Sequence, residues 1–383
     1  MNARLQSLEE IRRINVGFPY TEPVREWKAQ GKKVIGWVCT YVPEEIIYAA
    51  GILPLRVTGD SKEVATDEGT AYLYANICSA MRSCLQLGLT KSYDFLDGFV
   101  SASTCDCSRR LHDVWSHYVP TPFSHILYVP RKVTERTHRI YLAEVSQFRE
   151  SLEKFFGVEL STEALREAIG IFNKTRELIH RLYELRKEKA PPISGAETLE
   201  ILNAAVKMPR NEFNGLLESL LAELSTRKAV EGRTRLMITG SILNNPNFIK
   251  SIEELGCIVV ADELCTGTRH WWDSVDNNSQ LDPLEAISRR YLAKSPCARM
   301  IPVESRVQRL LALAKDYRVD GIVTEIIQYC TPYAHDQPII RERLEREGVS
   351  VLQLEVEYGT GGSGQIGTRV QAFLEVLERK VKR

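Results

Sequence analysis

Three of the nine cysteines stand where a thiolate could do chemistry. Cys105 closes the stretch LDGFVSASTC (96–105) and Cys330 closes VDGIVTEIIQYC (319–330). In both stretches an Asp-Gly pair opens an apolar strand that runs towards the cysteine, and open parallel sheets place their ligands just past the carboxyl ends of such strands. Cys78, in YANICSAMRSC, begins a helix-like run, where backbone N–H groups favour an anionic thiolate. Three thiolates can hold three irons of a [4Fe–4S] cluster and leave one iron for an outside ligand. Zinc is the alternative metal, but no CxxC pair supports it, and small buried thiols are the alternative without a metal. Cys107 forms a CxC pair with Cys105, and the correspondence with Cys330 favours Cys105 as the ligand. Cys39 and Cys257 beside apolar strands, Cys84 in a helical run and Cys297 in the loop KSPCARM read as packed thiols.

The elements that must position these residues are written twice. Residues 32–57 (KKVIGWVCTYVPEEIIYAAGILPLRV) read as strand, loop, helix and strand, with Pro43 near the helix start and Gly51 at its end. Residues 233–260 (RTRLMITGSILNNPNFIKSIEELGCIVV) repeat that layout with Pro246 and Gly256. FSHILYVP then precedes one helical run and SVLQLEVE another. Two similar α/β units follow, residues 1–142 and 232–383, with one site expected in the cleft between them. From 143 to 231 apolar residues recur at helical spacing among many charges, and Pro191-Pro192 divides this joining helical segment into two stretches. Its charged faces read as solvated surface. Near the carboxyl end, EYGTGGSGQIGTRVQAF contains G-x-G-x-x-G from Gly359 and from Gly362. The chain ends too soon for the second strand and acidic residue of a dinucleotide site. What remains is a flexible backbone before a helix N-terminus, which suits an anion.

Composition bounds the partners. Lys plus Arg and Asp plus Glu are both 50, so there is no basic surplus to attract nucleic acid. No apolar stretch approaches the roughly 18–20 residues that cross a bilayer, and the charged start MNARLQSLEEIRRIN is not a signal peptide. A soluble cytoplasmic protein is expected.

The stretches TYVPEEIIYAAGILPLRV, NICSAMRSC, STCDCSRRLHDVW, DPLEAISRRYL, VDGIVTEIIQYC and GQIGTRVQAFLE together resemble the benzoyl-CoA reductase / 2-hydroxyacyl-CoA dehydratase family over nearly the whole chain. The resemblance implies two Rossmann-like, flavodoxin-like parallel-sheet lobes joined by a helical segment. It also implies one [4Fe–4S] cluster on Cys78, Cys105 and Cys330, with the fourth iron site open. A related second cluster-bearing subunit, an ATP-hydrolysing iron–sulfur activator, ferredoxin as electron donor and a CoA thioester substrate are the implied partners. In the dehydratases of the family a transferred electron creates a ketyl radical that expels hydroxide. In the reductases electrons and protons add to an aromatic ring.

Thr40 stands where the family's dehydratases often place a serine, so its hydroxyl could donate to a thioester oxygen as charge develops; capping the following helix is the alternative. Glu44 and Glu45 fall in the first turn of that helix. A favourable interaction with the helix dipole is the simpler reading, and a substrate-facing or proton-transfer role for Glu44 is the sharper one. His112 and His117 read as structural or surface residues. The segment VADELCTGTRHWWDSVD looks more like the smaller cluster subunit of an ATP-dependent benzoyl-CoA reductase than like a dehydratase. Trp271 and Trp272 could line an aromatic acyl pocket, although packing is the commoner use of such a pair. The expected function is therefore that of a benzoyl-CoA reductase subunit. A subunit of a 2-hydroxyacyl-CoA dehydratase and a non-catalytic cluster-carrying scaffold are the alternatives.

Overall fold

Apolar runs bounded by Gly, Pro and Asn make strands buried on both faces, as parallel sheets require. In the computed structural model, which describes residues 5–60, 66–359 and 364–381, they form two four-stranded sheets. The first comprises β1 (Val34–Val38), β2 (Leu53–Arg56), β3 (Gly98–Ala102) and β4 (Phe123–Leu127). The second comprises β5 (Thr234–Gly240), β6 (Cys257–Glu263), β7 (Gly321–Ile327) and β8 (Ser350–Val356). All pairings are parallel, and the orders β2-β1-β3-β4 and β6-β5-β7-β8 are identical in pattern. The duplication expected from sequence is thus a duplication of topology, and the two Rossmann-like lobes are present.

Equivalent glycines close the helix that follows the first strand of each lobe. Gly51 after Glu44–Ala49 and Gly256 after Pro246–Glu253 have φ of +72° and +94°, a left-handed turn that glycine adopts without steric cost. In both lobes the following strand returns beside its predecessor.

Four helices, Glu135–Phe156, Thr162–Leu185, Gly195–Ala205 and Arg210–Leu224, run between the lobes. The break at Pro191-Pro192 lies between the second and third of these. Two further breaks, at left-handed Gly157 and before Arg210 at Pro209, make four helices where the sequence pattern predicts two stretches. The N-terminal helix Gln6–Val16 packs on this layer: Ser7 Oγ donates to Glu223 at 2.8 Å and Arg12 Nε to Glu200 at 2.9 Å. Apolar packing is continuous from Trp37 and Tyr141 through Leu178 and Tyr183 to Trp271 and Tyr291. No helix among the described residues is long and apolar enough to cross a membrane.

Buried charge ties the three layers together. Glu44 pairs with Arg210 of the helical layer and accepts a 2.8 Å contact from His270 Nε2 in the second lobe. Glu45 pairs with Arg176 at 2.5 Å and accepts from the Tyr291 hydroxyl at 2.7 Å. Burial opposes ionisation of Glu45, yet Arg176 and Arg290 hold its carboxyl below the usual range. His270 is kept neutral by burial and by Arg290, Arg56 and Arg210 around it.

Candidate iron–sulfur site

The strand order reverses between β1 and β3 in one lobe and between β5 and β7 in the other, and a crevice opens at the carboxyl edge of such a switch point. The two crevices face one another across a cavity of about 120 Å³. Cys39 and Thr40 follow β1, Thr104 and Cys105 follow β3, Ser241 follows β5, and Cys330 lies just beyond β7; all of them line this cavity. Eight of the nine cysteines do so: Cys39, Cys78, Cys84, Cys105, Cys107, Cys265, Cys297 and Cys330. Only Cys257 stands apart, in β6, with its thiol donating to Ile252 O.

The three cysteines singled out by sequence occupy the N-cap positions of three helices. Cys78 caps Ser79–Leu89, Cys105 caps Asp106–Tyr118 and Cys330 caps Thr331–Arg346. Cys105 Sγ accepts the Ser108 N–H at 3.4 Å. Thiols around one small cavity interact strongly. Hydrogen bonds from Cys105 and then Cys78 hold the Cys107 thiol down at about 3. Donation to Cys107, together with burial, pushes Cys78 and Cys105 well above the ordinary thiol value. Burial pushes Cys330 up to about 11.

The rest of the wall suits a group that accepts hydrogen bonds and carries negative charge. Arg56 donates to Cys265 through both its carbonyl (2.9 Å) and its Sγ (3.2 Å), and Thr104 Oγ1 donates to Cys39 Sγ at 3.2 Å. Arg269 and Arg299 also line the cavity. The hydroxyls of Tyr41, Thr58 and Tyr333 are buried in this wall and find no hydrogen-bond partner among the described residues, and an unmade hydrogen bond of this kind costs about 1–3 kcal/mol. Cys39 has φ +80° and Tyr329, next to Cys330, has φ +64°, backbone strain of the kind that collects at functional sites. Soft sulfur ligands, cations and unused hydroxyl donors fit an iron–sulfur group, whose properties are set by its cysteine sulfurs and by hydrogen bonds to its own sulfurs. Among the described residues no three Cys, His, Asp or Glu side chains converge as a single metal ion requires. A second, more polar cleft of about 790 Å³ adjoins, sharing Thr104, Cys105, Cys107, Arg299 and Pro332 with the cavity and adding Arg109, Arg131 and His335.

Of the residues named from sequence, the fold brings Cys78, Cys105, Cys330 and Thr40 to one cavity. Thr40 does not cap the following helix; Pro43 takes that position without a side-chain bond. Glu44 is 1 % exposed, turned to Arg210 and His270, and does not line the cavity. Trp271 is buried with its indole N–H on Thr266 O, and Trp272 lies against His180; neither lines the cavity, so packing is their role. His112 is buried against Ser101 and His117 is exposed, as expected. Residues 360–363 of the glycine-rich run lie outside the described residues. Cys39, Cys84 and Cys297, which read as packing in the sequence, are also wall residues. Cys265, Arg56 and Arg269 carry no local motif; the position of Cys265 just past a strand end is the one signal that could have found it.

A family model described as "2-hydroxyglutaryl-CoA dehydratase, D-component" matches residues 39–377. Among curated proteins the chain is 28% identical to the "Putative dehydratase subunit YjiM" of Escherichia coli (strain K12), over 92% of this chain and 94% of that protein. It is likewise 28% identical to one of the subunits of the benzoyl-CoA reductase of Thauera aromatica, with the same shares covered. Identity to the (R)-2-hydroxyglutaryl-CoA dehydratase beta subunit of Acidaminococcus fermentans is 26%, over 97% and 98%. These relatives are subunits of both reductases and dehydratases, and the match spans both lobes and the helical layer between them: the chain belongs to the benzoyl-CoA reductase / 2-hydroxyacyl-CoA dehydratase family.

Proposed function

We propose that the chain is the iron–sulfur subunit of an ATP-dependent benzoyl-CoA reductase, carrying one [4Fe–4S] cluster on Cys78, Cys105 and Cys330. The observation that carries this reading is the convergence of three cysteines at helix N-cap positions, from both lobes, on one cavity. Such a cluster would supply low-potential one-electron transfer, and the protein's part is binding, orientation and electrostatics. Cys78 and Cys105 from the first lobe and Cys330 from the second would hold it. Arg56, Arg269 and Arg299 would balance its charge, and the largely apolar wall would limit the access of water. Thr40, at the cavity wall, would donate a hydrogen bond as negative charge develops.

A cavity of about 120 Å³ suits a compact group rather than an entire CoA thioester, since pockets for drug-sized ligands span roughly 300–1,000 Å³. The adjoining cleft of about 790 Å³ is the route by which a thioester would reach the cluster. The remaining partners in this reading are a related second subunit, an iron–sulfur ATPase as activator and ferredoxin behind it, all in the cytoplasm. The subunit of a 2-hydroxyacyl-CoA dehydratase is the second reading. It is favoured by the greater share of chain aligned with the 2-hydroxyglutaryl-CoA dehydratase subunit and by the hydroxyl of Thr40 in the cavity wall.

The test is anaerobic co-purification with the partner subunit, followed by iron and acid-labile sulfide counts. After subtraction of the iron that the partner subunit holds when purified alone, about four irons per copy of this chain supports the cluster, a remainder well above four means that further thiols of the wall ligate iron, and no remainder sinks the redox reading. With iron in place, ATP-dependent consumption of benzoyl-CoA supports the reductase, and turnover of 2-hydroxyacyl-CoAs alone supports the dehydratase.

A further inference from the structure

Lys294 is a cation buried behind the cavity wall, and its place at the end of helix Pro283–Ala293 is fixed by its neighbours. It is 2 % exposed. Its ammonium donates to Thr40 Oγ1 at 3.0 Å and to the Arg269 carbonyl at 3.1 Å, and lies 4.3 Å from the centre of the Tyr41 ring. Thr40, Tyr41 and Arg269 all line the cysteine cavity, whereas Lys294 stands one layer behind them. The direction of the first bond matters. An ammonium has three donors and no acceptor, so Thr40 Oγ1 can only accept from it. The hydroxyl therefore keeps its own proton to give, and among the described residues no acceptor takes it.

From this arrangement we infer that Lys294 is a positioning residue that turns the Thr40 hydroxyl into a fixed hydrogen-bond donor aimed into the cavity. The inference rests on the cluster reading above and adds a residue to it. A lone threonine hydroxyl rotates to suit its surroundings; one that accepts from a buried cation has its acceptor side occupied and its O–H bond polarised. Charge-assisted bonds of this kind are roughly twice as strong as neutral ones. Burial and the nearby Arg290 lower the Lys294 ammonium to about 8, and the negative side of Cys39 and Cys297 works against that. Donation to Thr40 and the Arg269 carbonyl offsets part of the desolvation of the ammonium.

The test is electron–nuclear double resonance on the reduced cluster of the assembled protein, exchanged between H2O and D2O, in wild type, Thr40→Val, Thr40→Ser and Lys294→Met. Iron is counted first in each. The expected result is an exchangeable proton coupling in wild type that is absent in Thr40→Val, regained in Thr40→Ser and lost or redirected in Lys294→Met at unchanged iron content. A coupling that survives unaltered in Lys294→Met overturns the positioning role. A spectrum identical in wild type and Thr40→Val shows that Thr40 does not donate to the cluster and overturns it as well. Should Lys294→Met fail to fold, Lys294→Gln, which keeps a donor without the charge, takes its place and is expected to weaken the coupling. Wild-type protein without iron fails the cluster reading itself, which the count separates from the other outcomes.

Discussion

His270 Nε2 lies 2.8 Å from Glu44 Oε1, and both side chains are 1 % exposed. One residue starts a helix in the first lobe and the other belongs to the short helix Thr268–Trp271 after β6 in the second. With Arg210 on the other carboxylate oxygen, the contact joins all three layers at the back of the cysteine cavity. A first-turn glutamate that would elsewhere face solvent is here a buried tie.

Glu44 should accordingly matter to stability before it matters to chemistry. Removing one partner of a buried ion pair costs about 3–5 kcal/mol because the other charge is left uncompensated. Glu44→Ala is expected to lower the unfolding free energy by that amount, and Glu44→Gln by less, both read from urea denaturation. Iron per folded chain should stay at the wild-type level in Glu44→Gln. A Glu44→Gln protein as stable as wild type but inactive would restore the substrate-facing role.

The ligand assignment predicts a pattern across the cysteines. Cys78→Ala, Cys105→Ala and Cys330→Ala should each lose iron and sulfide, while Cys257→Ala, at the start of β6 and away from the cavity, should keep both. Cys107 is the informative control, because its thiol is hydrogen-bonded to those of Cys105 and Cys78. Iron lost in Cys107→Ala but kept in Cys105→Ala would move the ligand to the other member of the CxC pair.

Thr40→Val keeps volume but removes the hydroxyl from the cavity wall. Loss of one donor to a developing negative charge costs roughly 10²–10³ in turnover, so kcat should fall by about that factor with iron and fold retained. Unchanged turnover would remove Thr40 from the mechanism.

Acid should destabilise the fold through its buried and half-buried histidines. Burial, then His112, lowers His125 to about 4; burial also lowers His112 and holds His270 well below its ordinary value. An unfolded histidine takes up its proton near pH 6.5, so below that pH the unfolded state binds more protons and stability falls. The stability these groups contribute is complete above about pH 6.5, and for His125 its loss continues down to about 4. The His125 contribution is on the order of 1–3 kcal/mol. Urea midpoints between pH 7.5 and 5 test it, and the wild-type slope should shrink in His125→Phe.

Much of the architecture is legible in the chain because parallel strands buried on both faces are written as short apolar runs, and helices announce their ends. Val34–Val38 with Gly51, and Thr234–Gly240 with Gly256, are such local signals. The two halves align through them, and that alignment alone singles out Cys105 and Cys330. Cys78 is legible for the same local reason, standing where a helix begins.

The tertiary structure alone decided which side chains share the site. Cys39, Cys265 and Cys297 lie on three separate segments of the chain, and no spacing rule links them; they meet because two sheet edges face each other. Glu44 shows the same limit from the other side. Its first-turn position suggests a dipole partner or a substrate contact, yet its actual partners, Arg210 and His270, are 166 and 226 residues away. Local sequence governs the hydrogen bonding of helices and turns, which acts over a few residues. Desolvation and ion pairing are set by whatever the packed lobes bring within a few ångströms, and that the sequence alone does not spell out.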